Sequence, residues 1–159
     1  MAVAAPPRLR VSVDGKFFRL GEKKFYVKGV SYGPFAADSE GEPFADADQT
    51  ARDFAHLQEL GANLIRVYAV PPRWLLDLAF EYQLRLLIDI PWNKHLCFLD
   101  SPEHQKEVRA AVREAVSACA RHPAVFAFSV ANAIPDFGDN SRYREWVIRR
   151  VGRLSRLER

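Results

Sequence analysis

The feature that most constrains this chain is an alternation between two hydrophobic periods. Short, nearly unbroken apolar runs recur at Asn63-Leu-Ile-Arg-Val-Tyr68, Leu84–Ile90 and Ala124–Val130. The stretches between them carry apolar residues three and four positions apart. A continuous apolar run is what a strand buried on both faces needs, and three-to-four spacing marks a helix with one buried face. Ala51, Phe54, Leu57 and Leu60 make the first such face, after a capping Asp46 or Asp48 and before Gly61, which suits a left-handed C-cap. Leu75, Leu76, Leu78, Ala79 and Tyr82 make the second, opened by Pro71-Pro72. Val108, Val112, Ala115, Val116 and Cys119 make the third, started by Ser101-Pro102-Glu103 and ended near His122-Pro123. Trp146, Val147, Val151 and Leu154 make a fourth, capped between Asp139 and Ser141.

Upstream, Leu9–Val13 and Lys16–Leu20 flank Asp14-Gly15, a strong hairpin signal, and Gly21 starts a second turn. Phe25–Tyr32 reads as another strand, with Val27–Tyr32 as the first parallel one. The order is then a hairpin followed by four βα units, which implies an α/β fold with a parallel sheet. There is no GxGxxG, P-loop, HExxH or CxxC pattern, so neither a cofactor nor a metal is expected. A complete (β/α)₈ barrel needs about 250 residues. The 159 residues here are expected to form half of a (β/α)₈ TIM barrel preceded by an N-terminal β-hairpin. The division is a loose Ala/Pro-rich tail at 1–7, the hairpin at 8–23 and the half barrel at 24–159.

Composition agrees: 48% hydrophobic and 27% charged residues give a chain with a real core, which excludes disorder as its main state. The net charge is +3. Arg142, Arg144, Arg149, Arg150, Arg153, Arg156 and Arg159 crowd the last helix without interleaved aromatics, so they read as a solvated face and no nucleic-acid partner is expected. No apolar stretch reaches membrane-span length, so no membrane partner is expected either. Cys97 and Cys119 lack metal spacing and fit a reducing cytosol. With no charged region followed by an apolar run at the N-terminus, a cytoplasmic location is expected.

In barrel enzymes chemistry sits at the C-terminal ends of the strands. The candidates there are Ser31 and Tyr32 after strand one, Arg66 and Tyr68 at strand two, Asp89, Trp92, Asn93 and His95 at strand three, and Asn132 at strand four. Arg66 interrupts an apolar strand, and a buried guanidinium needs a carboxylate or a hydrogen-bonding ligand. Asp89 is expected to pair with it or with a loop backbone. Tyr32 and Trp92 either stack on the apolar face of a sugar ring or simply pack, and their places after strand ends favour stacking.

Tyr26–Phe35, Gly61–Tyr68, Leu86–Trp92 and His122–Asn132 together resemble successive strands of the large retaining glycoside hydrolase clan, which includes β-galactosidases, β-glucuronidases, β-mannosidases and cellulase-like enzymes. The resemblance implies a domain acting on β-linked sugars by hydrolysis or transglycosylation. It also implies that Arg66 is the clan's strand-two arginine, and that Asn132 is the asparagine that contacts the sugar 2-hydroxyl. The clan's general acid/base Glu would fall at Ala133. A methyl group cannot donate a proton, and a retaining mechanism needs two carboxyl groups about 5 Å apart. The nucleophile belongs to a seventh strand, which these four units do not include. The chain is therefore expected to be inactive, either by an engineered Glu-to-Ala change or by nature. The alternative is a carbohydrate-binding pseudoenzyme, or a half-barrel module that assembles with another half or as a homodimer.

Overall fold

The computed structural model describes residues 9–37, 39, 41–91 and 101–130. Three short strands, β1 (Val11–Asp14), β2 (Phe17–Leu20) and β3 (Lys23–Lys24), form an antiparallel meander in that order. Asp14 pairs with Phe17 and Leu20 with Lys23, so each connection is a two-residue loop. Gly15 and Gly21 occupy the first loop positions with φ of 60° and 62°, a conformation that favours glycine there. The repeated turn turns the expected hairpin into a meander, its third strand too short to show as an apolar run.

The second sheet is parallel and holds β4 (Gly29–Ser31), β5 (Leu64–Val67), β6 (Arg85–Asp89) and β7 (Val125–Ser129), in the order β4-β5-β6-β7. Helices α1 (Ala47–Glu59), α2 (Arg73–Glu81) and α3 (Pro102–Cys119) follow its first three strands. Ile65, Val67, Leu86 and Ile88 alternate along β5 and β6 and are completely buried, in one core with Phe54 of α1 and Leu75, Leu76 and Ala79 of α2. The expected α/β arc of a barrel is what this sheet and its helices form. The first parallel strand is shorter than its sequence run: Phe25 instead bonds through its backbone N–H to Phe18 of the meander, and Tyr26 and Val27 are exposed. A register irregularity between Leu86 and Leu87 in the β6–β7 ladder lies beside Phe126. That ring packs 4.8 Å from Phe18 and 6.0 Å from Phe25, which fastens the meander to the start of β7.

The helix boundaries follow their capping chemistry. Asp46 accepts the Gln49 backbone N–H at 2.8 Å, and Ser101 caps α3 with Pro102 directly behind it. α1 closes with paired bonds from Gly61 N–H to the Gln58 carbonyl and from Ala62 N–H to the Leu57 carbonyl, Gly61 taking φ of 77°. α2 closes the same way, Gln83 N–H to Phe80 and Leu84 N–H to Ala79, but with a glutamine at φ 59°. Beyond α3, the buried His122 accepts the Ala124 N–H on Nδ1, which leaves its Nε2 to donate to Asp77 of α2 at 2.9 Å. Arg73, and after it His122, hold the Asp77 carboxyl below its ordinary range.

Two residues expected on inward helix faces point outward. Leu60 is 80% exposed because it is the C-cap, where the helix has already turned away from the core. Val116 is also exposed, since Val108, Ala115 and Cys119 already occupy the buried stripe of α3. The expected fourth helix lies outside the described residues.

A β-carbon in the left-handed region costs about 1 kcal/mol, and Gln83 carries that cost at the end of α2. Gln83→Gly is therefore expected to stabilise the fold by about 0.5–1 kcal/mol in urea unfolding, whereas Gly61→Gln is expected to destabilise it by a similar amount.

Candidate functional site

The C-terminal ends of β4 to β7 define one edge of the parallel sheet, and the polar side chains interrupting its apolar runs gather there. Parallel pairing sets Ser31 opposite Arg66 and Asp89 opposite Ser129, while Arg66 lies opposite Leu87, two residues before Asp89. Side chains two apart on a strand share a face, so Arg66 and Asp89 project from the same side of neighbouring strands.

They form a two-point ion pair. Arg66 Nε donates to Asp89 Oδ1 at 3.2 Å and Nη2 to Oδ2 at 2.7 Å. The carboxylate is only 2% exposed, while the arginine side chain keeps 31%. A carboxylate this deep needs a cation with matched geometry, and the planar guanidinium fork supplies it. The hydrogen bond to Asp89 holds Arg66 above its ordinary pKa, more firmly protonated. The guanidinium carbon also lies 5.2 Å from the centroid of the half-buried Tyr68 ring. The outcome is a fixed, partly open cation with an aromatic ring beside it. Such a unit can donate hydrogen bonds to hydroxyl groups and offer a ring to the apolar face of a sugar. Its carboxylate has both oxygens engaged by the guanidinium.

Tyr32 is placed differently from the expected stacking position. It is 8% exposed and turns towards α1, where its hydroxyl donates to Asp53 at 2.8 Å. Its ring lies edge-on to Phe35 at 4.8 Å and to Phe54 at 5.4 Å. Burial, the largest cause, pushes its hydroxyl up to about 12. Tyr32 thus fixes the β4–α1 connection and presents no open face at the rim. Its backbone N–H bonds to the Arg66 carbonyl at 2.9 Å, so it also braces β5. Ser31 is exposed at the end of β4. Trp92, Asn93, His95, Asn132 and Ala133 lie outside the described residues. Ser129 was not singled out from the sequence; the signal was available, as a hydroxyl near the end of an otherwise apolar run. No cluster of metal-ligating side chains occurs among the described residues.

The profile of the glucanosyltransferase family matches residues 3–154. The chain belongs to that family. Among curated relatives of this glucanosyltransferase-family chain, the 1,3-beta-glucanosyltransferase gel1 of Aspergillus fumigatus is 45% identical over 60 residues, which cover 38% of the chain and 13% of gel1. Among solved structures, the β-glucuronidase of Bifidobacterium dentium superposes with a TM-score of 0.67 at 23% identity, over 86% of the chain and 22% of that protein. Gas2p of Saccharomyces cerevisiae, solved in complex with laminaripentaose, gives 0.57 at 21% identity, over 76% of the chain and 30% of that protein. The chain therefore spans less than a third of each of these proteins. At these identities the superpositions establish the fold, which is that of barrel glycosidases over part of their length.

The ion pair has unequal partners, and its two halves are expected to differ in worth. Arg66→Met leaves a buried carboxylate with no cation and is expected to cost about 3 kcal/mol or more. Asp89→Asn removes the negative charge and lets the partly exposed arginine turn to water, for an expected cost of about 1–2 kcal/mol. Urea unfolding of both variants measures the difference.

Proposed function

We propose that this chain is the first half of a glucanosyltransferase-type catalytic domain that holds a β-1,3-linked glucan at the C-terminal rim of its sheet and does not turn it over. The observation carrying this reading is the Arg66–Asp89 pair beside Tyr68. It supplies a directed donor and a ring, while the Asp89 carboxylate is engaged on both oxygens. Family membership and the activity for which gel1 is named support the glucan as ligand class. The laminaripentaose bound to Gas2p supports a linear oligosaccharide. Lack of turnover rests on sequence: Ala133 stands where the clan's resemblance requires the acid/base Glu. Without a proton donor the leaving oxygen is not protonated.

In this account Arg66 orients the sugar through its hydroxyls, Asp89 fixes the guanidinium, and Tyr68 flanks it. Asn132 would contact the 2-hydroxyl, and Trp92 and His95 would extend the sugar-binding wall. Titration calorimetry with laminaripentaose, combined with product analysis, tests the reading. Saturable binding without transfer or hydrolysis is expected. Arg66→Lys, which keeps the charge and loses the fork, is expected to weaken binding about tenfold, or ~1.4 kcal/mol. Turnover by the unmodified chain contradicts the proposal.

A second reading, a half-barrel module, draws on the sheet edge. Among the described residues the outer side of β4 has no pairing strand, and Gly29–Ser31 are exposed throughout. An open strand edge accepts another strand. On this reading the edge pairs with a further half barrel or with a second copy. Sedimentation velocity decides between them and a free edge: concentration-dependent dimerisation is expected if copies pair, and a stable monomer at all concentrations excludes that arrangement.

A further inference from the structure

The opposite end of the parallel sheet holds a second arginine in a very different state. Arg85 opens β6, pairs in register with Leu64, and bonds through its backbone N–H to the Asn63 carbonyl at 3.0 Å. Its side chain is 6% exposed. The guanidinium carbon lies 5.4 Å from the centroid of the Phe80 ring, and Nη1 donates to the Leu84 carbonyl at 3.3 Å. Nε is buried without any hydrogen-bond partner. Among the described residues no carboxylate forms an ion pair with it. Burial accordingly lowers its pKa, with no opposing contribution.

A guanidinium has five donors in a rigid fork. Arg66 shows what satisfies one on this sheet: a carboxylate meeting Nε and Nη2 side-on. Arg85 has an interior cation's cost of desolvation without that partner. We propose that Arg85 is a receptor for one carboxylate at the N-terminal end of the parallel sheet, the end away from the glycan rim. The chemistry selects a carboxylate over a phosphate. A planar monoanion engages Nε and an adjacent Nη together and cancels the single charge. A phosphate dianion would leave a charge uncovered beside Phe80 and Leu84, in a setting that penalises it. The carboxylate can come from a free acid or from an acidic side chain of polypeptide covering this end. Both sources present the same two oxygens.

The test follows the thermal midpoint of the whole chain and the Arg85 Nε–H resonance. The probes are sodium acetate, the blocked peptide acetyl-Gly-Glu-Gly-amide, sodium sulfate and sodium chloride at matched ionic strength. A carboxylate binding only the folded chain is expected to raise the midpoint saturably by a few degrees at about tenfold its dissociation constant. The Nε–H resonance is expected to move with the same concentration dependence, and Arg85→Met is expected to abolish the midpoint response. A response to acetate alone assigns the site to small free acids, and a response to both carboxylates assigns it to acidic side chains as well. No shift with either carboxylate, an equal shift with sulfate, or an undiminished response in Arg85→Met overturns the proposal. Should Arg85→Met fail to fold, the resonance in the unmodified chain decides alone.

Discussion

A carboxylate buried at the end of a strand organises the upper edge of this sheet. Asp89 is closed off from water, so it requires a cation with two correctly spaced donors, and among the described residues Arg66 of β5 supplies them. That requirement explains the arginine in the otherwise apolar β5. It also fixes the relative height of β5 and β6, because a slip of one residue would turn Arg66 to the helix-covered face. The guanidinium is thereby held where a bound sugar would meet it, and Tyr68 is brought alongside. In the proposed reading, stability and binding geometry share one interaction.

The two ends of the sheet contrast in how they handle charge. At the C-terminal end the arginine is matched and partly open. At the N-terminal end Arg85 is deep, apolar in its surroundings and unmatched among the described residues. Between them the fold is conventional for a parallel sheet: alternating Ile65, Val67, Leu86 and Ile88 pack onto two helices. The meander is fastened below by the Phe18, Phe25 and Phe126 rings.

Much of this architecture was legible in the sequence because its signals are local. Asp46, Ser101-Pro102 and Gly61 mark helix ends by hydrogen bonds that close within a few residues. The three longer parallel strands announce themselves as apolar runs. The Arg66–Asp89 pair was legible because a charge in such a run needs a partner nearby. What was not legible depends on three-dimensional context. Leu60 fits the helical spacing, but the capping turn carries it out of the core. Tyr32 ends a strand like a rim residue, yet Asp53, a turn into α1, draws its hydroxyl inward. Arg85 was not singled out within the Leu84–Ile90 run, and only the packing of Phe80 and Leu84 around it reveals its isolation.

The central claim is that sugar recognition sits at the C-terminal rim around Arg66. Amide chemical-shift mapping with laminaripentaose tests it most directly. Perturbations centred on Ser31, Arg66, Tyr68 and Ser129, fading towards Asn63 and Arg85, are the expected result. Perturbations centred on the meander or on the N-terminal ends of the strands, with Arg66 and Tyr68 unmoved, would contradict it.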